Sequence, residues 1–380
     1  MKKSLKIAAV LLSALSLILI PAANAAVLKA AGATSVSGLI DKCKADYQTA
    51  TGNSFDYPGG GSGAGKSAFT NGTVDFAFSD SAHSPMIANE IHIPTVLWPV
   101  AILTNLGGSN KPVTLSTDTL AGIMAGKITN WNDPAIVADN NRTINTVIYK
   151  KDAAGQVVKD KNGAPVVLRT QPVTQHRTMP NLPITVWYRS DNSGTSNNLT
   201  RALNKLAPTV WTNSPADAFA TAFPGKITDN PVMFRSAAGS AGVALNISKT
   251  KGSIGYAEVS FADTYKLAVS AIINKAGNAI TPTSDSAAAA GGEATIDENT
   301  GLITFNYLST NAAAYPLTAT TYALVSTKYG DAAKAKAVKD TIAFYAFKCP
   351  GLYPALGFAS LTPESKFGQI VIKQWNKLGA

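Results

Sequence analysis

One short run of the sequence, 189–196, gathers side chains and backbone groups that bind oxyanions. It reads Arg-Ser-Asp-Asn-Ser-Gly-Thr-Ser and follows the strand-like segment 183–188. A cluster of Asp, Asn, Ser and Gly after a strand predicts a turn and a helix N-cap. The free N–H groups and positive dipole end of a helix N-terminus attract anions, and Arg189 adds a planar guanidinium that fits phosphate or carboxylate. The run therefore predicts one part of an oxyanion site.

Two further places carry polar groups that could face the same ligand. Asp80 closes the strand-like segment 74–78, and carboxylates at strand ends lie where open α/β sheets bind ligands. Thr34 and Ser35 begin a helical segment just after Gly32. Each of these residues is equally compatible with an ordinary turn or N-cap, so their meaning depends on what lies beside them.

A glycine-rich loop, 59–67, contains the spacing G-x-x-x-x-G-K-[ST] from Gly60 to Ser67. That spacing is typical of nucleotide-binding P-loops. The helical segment after it ends early, at Asn71-Gly72, and glycine-rich loops produce the pattern by chance. We therefore expect no nucleotide hydrolysis, but loop amides and a serine hydroxyl that enter a helix can still bind an oxyanion.

The elements that must position these groups alternate between short strands and helices. This alternation predicts an α/β protein, and 380 residues suggest about two domains. The polar segment 146–181 is expected to form an inserted surface hairpin. The segment 284–292, rich in Ala, Ser and Gly, is expected to be a mobile loop.

The first 25 residues have the features of a secretory signal peptide. Three lysines precede an apolar run, and Ala23-Asn24-Ala25 provides small residues for cleavage. Because Lys2, Lys3 and Lys6 lie in this leader, the formal net charge of +10 falls to +7 for residues 26–380. A basic exported protein suits an anionic ligand, although mild basicity is common in this class. Lys and Arg do not cluster with aromatic residues, so we expect no nucleic-acid partner.

The cysteines and histidines leave two questions open. Cys43 and Cys349 could form a disulfide in an oxidising compartment or remain two buried free thiols. The histidines at 83, 92 and 176 show no metal-ligand spacing, so we expect no metal and no cofactor. A phosphatase or serine hydrolase would need a catalytic arrangement that the order of these residues does not indicate.

Several stretches together resemble the periplasmic phosphate-binding proteins of bacterial phosphate ABC transporters. The similarity extends over nearly the whole chain after the leader, except for the segment 146–181. The stretches that carry it, in order, are 31–34 (AGAT), 57–62 (YPGGGS), 74–80 (VDFAFSD), 126–133 (GKITNWND), 189–195 (RSDNSGT), 252–258 (GSIGYAE) and 315–322 (YPLTATTY).

The resemblance implies a two-lobed periplasmic-binding-protein fold of type II, with the ligand in a cleft between two α/β lobes. Lobe 1 would comprise 26–105 and 314–380, and lobe 2 would comprise 106–313. Two hinge crossings are expected, near Asn105 and Ala314. Both cysteines would then fall in lobe 1, where a bridge is feasible.

The resemblance also implies the ligand and its contacts. The protein would capture inorganic phosphate as a monomer and deliver it to a membrane ABC permease, without being an enzyme. Asp191 would hold the guanidinium in place. The implied phosphate contacts are Thr34, Ser35, Ser62, Asp80, Arg189, Ser193, Gly194 and Thr195.

Two departures from the family pattern affect this expectation. Ser35-Val36 stands where the family commonly has an aromatic residue followed by proline, so the cleft loses an apolar cover. The segment 146–181 could reshape the rim of the cleft. Binding of another oxyanion, a surface role, or a secreted phosphatase activity are the alternatives.

Overall fold

The computed structural model describes residues 26–107 and 111–379. The predicted signal peptide, 1–25, lies outside the described residues. Within them, no helix has the length and apolar character needed to cross a bilayer.

The described chain alternates between strands and helices throughout. The strands are β1 Val27–Gly32, β2 Ser54–Asp56, β3 Phe76–Ser79, β4 Glu90–Pro99, β5 Ala101–Asn105, β6 Thr114–Ser116, β7 Thr143–Tyr149, β8 Val167–Thr174, β9 Thr185–Arg189, β10 Phe234–Ala237, β11 Ser253–Ala257, β12 Ala268–Val269, β13 Ala271–Ile273, β14 Ala279–Ile280, β15 Thr295–Ile296, β16 Ile303–Thr304 and β17 Thr318–Ser326. The α-helices are α1 Ser37–Thr51, α2 Ser62–Thr70, α3 Thr117–Met124, α4 Pro134–Asn140, α5 Gly194–Leu206, α6 Phe219–Ala222, α7 Gly239–Lys249, α8 Ser260–Tyr265, α9 Ser284–Gly292, α10 Ala332–Phe347, α11 Cys349–Leu352 and α12 Lys366–Trp375.

Two five-stranded sheets organise the described residues, one in each lobe. The first has the order β2-β1-β3-β17-β4 and the second β10-β9-β11-β5-β12. In each sheet the first three strands are parallel, and an antiparallel strand pairs with the third. Carboxyl ends of parallel strands meet at one edge of a sheet, so the residues that follow β1, β3, β9 and β11 are brought together.

The chain passes between the sheets at Val100. The strand β4 belongs to the first sheet and β5 to the second, so the predicted lobe 1 boundary at 105 lies too far along the chain. Val100 is fully buried, and its backbone N–H donates to Leu317 O at 2.9 Å. The long apolar run at 95–105 therefore contributes strands to both sheets, and its continuous hydrophobicity predicts a single strand.

The end of the predicted lobe 2 also needs correction. The segment 284–292 is the helix α9, not a loop, and Thr283 caps it with a capping box. This helix packs against β4 of the first sheet, and Leu302 and Ile303 join a hydrophobic cluster with Tyr322 of β17. Residues from about 284 to 304 therefore pack on lobe 1, before the predicted boundary at 313.

The inserted hairpin is formed by β7 and β8, which pair antiparallel. Its first strand begins at Thr143, three residues before the expected start at 146, and β8 is largely exposed along its length. Backbone bridges between Lys151 and Val157 and between Lys159 and Pro165 shape the tip. The insertion is thus a surface arm of the second lobe.

A disulfide joins Cys43 in α1 to Cys349 at the start of α11, with Cα atoms 5.9 Å apart. Both residues are fully buried. Of the two alternatives left open by the sequence, the structure therefore has the bridge. It ties the amino-terminal and carboxyl-terminal parts of lobe 1 across 306 residues of sequence.

Candidate functional site

Asp80 lies at the end of β3 and is almost completely buried, with 2% of its surface exposed. Ser35 Oγ and Thr321 Oγ1 each donate to Asp80 Oδ1 at 2.7 Å. Thr195 Oγ1 donates to Oδ2 at 3.2 Å. Ser35 and Thr321 come from lobe 1 and Thr195 from lobe 2, so the carboxylate is held from both sides of the cleft.

The pKa of Asp80 is raised because burial penalises its charged form, and the three hydroxyl donors and the positive charge of Arg189 oppose that shift. Hydrogen bonds to a carboxylate stabilise the charged form. The charged form of Asp80 is therefore stabilised by hydrogen bonds in a site shielded from water.

The glycine-rich loop places Ser62 at the first position of α2. The Asp80 N–H donates to Ser62 Oγ at 3.1 Å, which joins two of the predicted site residues. Gly61 has a φ of 90°, a backbone conformation that favours glycine. A Cβ at that position would also clash with an Asp191 carboxylate oxygen, so the loop contacts the second lobe directly.

Lys66, the lysine of the P-loop-like spacing, does not point into this cluster. Its Nζ donates to Ser81 Oγ at 2.7 Å and forms an ion pair with Asp217 Oδ2 at 2.8 Å. Since Ser81 belongs to lobe 1 and Asp217 to lobe 2, the lysine bridges the two lobes at the rim.

Arg189 ends β9 and is also 2% exposed. Its Nε donates to Asp191 Oδ1 at 2.8 Å, and its Nη2 donates to Asp191 Oδ2. Burial lowers the pKa of Arg189, but the hydrogen bonds and charge of Asp191, together with Tyr256 and Glu258, raise it by more. Burial raises the pKa of Asp191, and Arg189 reverses that shift, so both groups stay charged. This bidentate pair fixes the plane of the guanidinium.

The helix α5 begins at Gly194, and Ser193 is its N-cap, accepting from the Ser196 N–H at 3.3 Å. Ser193 and Thr195 are both 1% exposed. A Cβ on Gly194 would lie 2.6 Å from Ser62 Oγ and 2.7 Å from Asp80 Cβ. The helix N-terminus therefore contacts lobe 1 directly, and the approach requires a glycine.

Thr34, another predicted site residue, has its hydrogen bonds with Ser240. Its Oγ1 accepts from the Ser240 N–H at 3.3 Å and lies 3.4 Å from Ser240 Oγ. Ser240 is in the first turn of α7, in lobe 2. Thr34 therefore joins the cluster through a residue of the opposite lobe.

Sequence reasoning missed several residues at this site. Thr321 and Glu258 lie in the stretches 315–322 and 252–258, which carry the family resemblance but suggested no role for these side chains. Ser240 and Asn198 gave no such signal. Ser240 Oγ accepts from Arg189 Nη1 at 3.1 Å, and Asn198 Nδ2 donates to Asp80 O at 2.5 Å.

Glu258 is the second buried carboxyl group of the site, 2% exposed. Ser240 Oγ donates to its Oε1 at 3.1 Å. Burial, together with the negative charge of Asp80, raises the pKa of Glu258 to about 7, although Arg189 opposes the shift.

The histidines of the described residues lie apart from this cluster or carry structural contacts. His83 Nδ1 lies 2.9 Å from Glu90 Oε2, and His92 Nε2 accepts from the His83 N–H at 2.9 Å. Across 26–107 and 111–379, no group of three His, Cys, Asp or Glu side chains is arranged to hold a metal ion.

Comparisons with known proteins agree with this architecture. The model of the PBP superfamily domain matches residues 20–346. A phosphate-binding protein PstS from Xylella fastidiosa is 30% identical over 323 residues, which cover 82% of this chain and 75% of that protein. PstS from Haemophilus influenzae is 29% identical, over 86% of this chain and 85% of its own length.

Solved structures support the fold. A high-affinity periplasmic phosphate-binding protein, PfluDING, determined with bound phosphate, aligns with a TM-score of 0.61 at 23% identity and covers 93% of this chain and 99% of that one. An ancestral soluble variant of the human phosphate binding protein aligns with a TM-score of 0.61 at 22% identity, over 91% and 92% of the two chains. The predicted two-lobed α/β fold is confirmed. By its matched domain and its relatives, the chain belongs to the PBP superfamily and, within it, to the family of PstS phosphate-binding proteins.

Proposed function

We propose that this protein is an exported receptor that captures inorganic phosphate between its two lobes and delivers it to a membrane ABC permease. The observation that carries the proposal is the convergence of Asp80 from lobe 1 and Arg189 from lobe 2 in one buried cluster of hydroxyls. The names of the two curated relatives, both phosphate-binding proteins, favour the same ligand.

The ligand contacts follow from the chemistry of each group. Arg189, held by Asp191, supplies a full positive charge. The start of α5 supplies the dipole and the hydroxyls of Ser193 and Thr195. The other contacts that we propose are the hydroxyl and amide of Thr34, the amide of Ser35, the hydroxyl of Ser62 and the amide of Gly194. Many hydrogen bonds of this kind offset the cost of removing an anion from water.

Asp80 would select the ligand. Inorganic phosphate has one ionisable proton more than a phosphate ester, whose second and last pKa is about 6, so phosphate still carries at least one proton near neutral pH. A carboxylate can accept that proton in a charge-assisted hydrogen bond. Sulfate offers no proton, so its oxygens would face Asp80 with like charge and no bond. Asp80 thus favours phosphate and disfavours sulfate.

Binding would be communicated by closure of the lobes. The Gly63 N–H donates to Asn192 O at 2.9 Å across the cleft, and Lys66 pairs with Asp217. A ligand that contacts both lobes stabilises the closed state through its higher affinity for that state. A permease in the cytoplasmic membrane could recognise the closed surface, which fits an exported, monomeric receptor.

Isothermal titration of the purified protein with phosphate, arsenate and sulfate tests the proposal. We expect 1:1 binding of phosphate, much weaker binding of sulfate, and an Asp80→Asn variant that folds but discriminates less between the two anions. Equal binding of sulfate and phosphate by the wild-type protein would contradict the role of Asp80. Hydrolysis of a generic phosphate ester that Ser62→Ala abolishes would favour a secreted phosphatase instead.

A further inference from the structure

The structure contains a buried carboxyl group, Glu258, that the contacts proposed for phosphate do not use. It follows β11 directly and precedes α8. Its Oε1 accepts from Ser240 Oγ, but among the described residues its Oε2 has no hydrogen-bond partner. A buried polar atom without a partner in a native site requires a physical explanation.

Ser240 connects Glu258 to both halves of the anion site. Arg189 Nη1 donates to Ser240 Oγ, which donates onward to Glu258 Oε1, each at 3.1 Å. The backbone N–H of Ser240 donates to Thr34 Oγ1 of lobe 1. Glu258 is therefore one hydroxyl away from the guanidinium that we assign to the ligand.

The charges at the site favour a proton on one of its carboxyl groups. Asp80, Asp191 and Glu258 surround the guanidinium of Arg189, so full ionisation would leave a net negative site before any anion entered. Asp191 is neutralised by its bidentate pair with Arg189, and Asp80 accepts three hydroxyl hydrogen bonds. Glu258 has a single donor, so its charged form is the least stabilised of the three.

The groups around Glu258 favour its neutral form. Burial and then the negative charge of Asp80, at the end of β3, raise its pKa, and Arg189, at the end of β9, only partly opposes these effects. From α7 the contact is the hydroxyl of Ser240, and on β11 itself the Tyr256 hydroxyl accepts from the Arg189 N–H. A bound anion adds negative charge close by and would raise the pKa further.

We propose that Glu258 sets how phosphate affinity depends on pH, because its neutral carboxylic acid is the form compatible with oxyanion binding in the closed cleft. This inference rests on the proposed binding of phosphate. When Glu258 is ionised, binding of the anion takes up one proton from the solvent. A carboxylic acid keeps the Ser240 hydrogen bond through its carbonyl oxygen and offers a donor, rather than a negative charge, at the other oxygen.

Comparison of the wild-type protein with Glu258→Gln tests the inference, because glutamine retains the shape and the acceptor but cannot ionise. Both would be titrated with inorganic phosphate from about pH 6 to about pH 9. We expect the apparent Kd of the wild-type protein to rise about tenfold per pH unit above the pKa of Glu258, since only the protonated fraction binds. The ionisation of phosphate itself affects both proteins equally, so the ratio of their Kd values isolates Glu258.

Calorimetry in buffers with different ionisation enthalpies gives a second readout. Above about pH 7 we expect phosphate binding to be accompanied by the uptake of as much as one proton more in the wild-type protein than in Glu258→Gln. A third protein, Ser240→Ala, lacks the hydroxyl that donates to Glu258 and lowers its pKa. The loss of phosphate affinity with rising pH should therefore begin at a higher pH in this variant than in the wild-type protein. That measurement stands even if the glutamine variant fails to fold.

The outcomes separate this inference from the proposed function. Parallel pH profiles and equal proton uptake for wild-type and Glu258→Gln would overturn the role of Glu258 while leaving phosphate binding intact. A wild-type protein that binds no phosphate at any pH would overturn the proposed function and this inference with it.

Discussion

Ser35 Oγ donates to Asp80 Oδ1 at 2.7 Å, and both residues are almost completely buried. The family resemblance leads us to expect an aromatic residue at position 35. The serine that stands there supplies a hydroxyl to the carboxylate at the centre of the cleft. The contact therefore makes position 35 part of the electrostatic support of Asp80.

We expect Ser35→Ala to weaken phosphate binding and to make it more sensitive to acid. The hydroxyl lowers the pKa of Asp80 against the effect of burial, so its loss raises that pKa further. Asp80 then becomes protonated at a higher pH on acidification, and a protonated carboxyl cannot accept the ligand proton. A lost hydrogen bond of roughly 1–2 kcal/mol corresponds to about a 5- to 30-fold higher Kd.

Calorimetric titration with phosphate at decreasing pH measures both effects. Ser37→Ala is the matched control, because it changes a serine of the same turn that is not placed in the site. If Ser35→Ala and the wild-type protein lose phosphate affinity at the same pH on acidification, the hydroxyl does not stabilise the charged form of Asp80.

The contact of Gly194 with Ser62 and Asp80 leads to a second prediction. We expect Gly194→Ala to fold normally but to close poorly, because its Cβ would lie 2.6 Å from Ser62 Oγ and 2.7 Å from Asp80 Cβ, both in the opposite lobe. Opening the cleft relieves this clash without disturbing either sheet. Overpacking by one methyl group costs roughly 1–3 kcal/mol, which here reduces phosphate affinity by about 5- to 150-fold.

The control for this variant is Gly242→Ala in α7, where the nearest heavy atom to an added Cβ lies 3.6 Å away. Thermal unfolding should show similar stability for both variants, and phosphate titration should separate them. A Gly194→Ala protein with wild-type affinity would mean that the closed arrangement is not the one that binds ligand.

The local parts of the site could be predicted from the sequence, and the parts that depend on strand pairing could not. Arg189, Asp191 and Ser193 are neighbours in one turn, so their residue types already indicate a guanidinium pair and a helix cap. Thr321 reaches Asp80 only because β17 lies antiparallel between β3 and β4, with Tyr322 opposite Ser79. Nothing in the local sequence specifies that register.

The domain boundaries were missed for a related reason. Apolar side chains at 95–105 satisfy the burial requirements of both sheets, so hydrophobicity does not mark the crossing at Val100. The composition of α9, in which serine and glycine accompany the alanines, predicts a loop. Its burial against β4 is a tertiary effect that outweighs the weak helical signal.

The disulfide provides a third prediction, on stability rather than binding. It closes a loop of 306 residues, and constraint of the unfolded chain over such a length contributes about 6 kcal/mol in the chain-entropy model. We expect a Cys43→Ala/Cys349→Ala double variant to unfold at a clearly lower temperature while binding phosphate with unchanged affinity, since both residues lie away from the cleft.

Thermal unfolding with and without a reducing agent checks this expectation. Reduction should destabilise the wild-type protein and leave the double variant unaffected. Loss of phosphate affinity at a temperature where the double variant is fully folded would instead indicate that the bridge shapes the cleft.

The ion pair between Lys66 and Asp217 gives the last prediction. It connects the lobes at the rim, with 15% and 18% of the two side chains exposed, and Asp217 Oδ1 also accepts from Asn197 Nδ2 at 3.0 Å. Since the pair forms only when the lobes are close, its attraction favours the closed state and with it the bound ligand. We expect Lys66→Met and Asp217→Asn each to raise the Kd for phosphate by about fivefold, equivalent to roughly 1 kcal/mol.

A double-mutant cycle tests whether the two residues act together. The combined variant should lose little more phosphate affinity than either single variant, because both substitutions remove the same interaction. The coupling should also shrink at high salt, since the pair is partly exposed to solvent. Additive losses, or a coupling that salt does not change, would mean that the lysine acts through its hydrogen bond to Ser81 within lobe 1 rather than across the cleft.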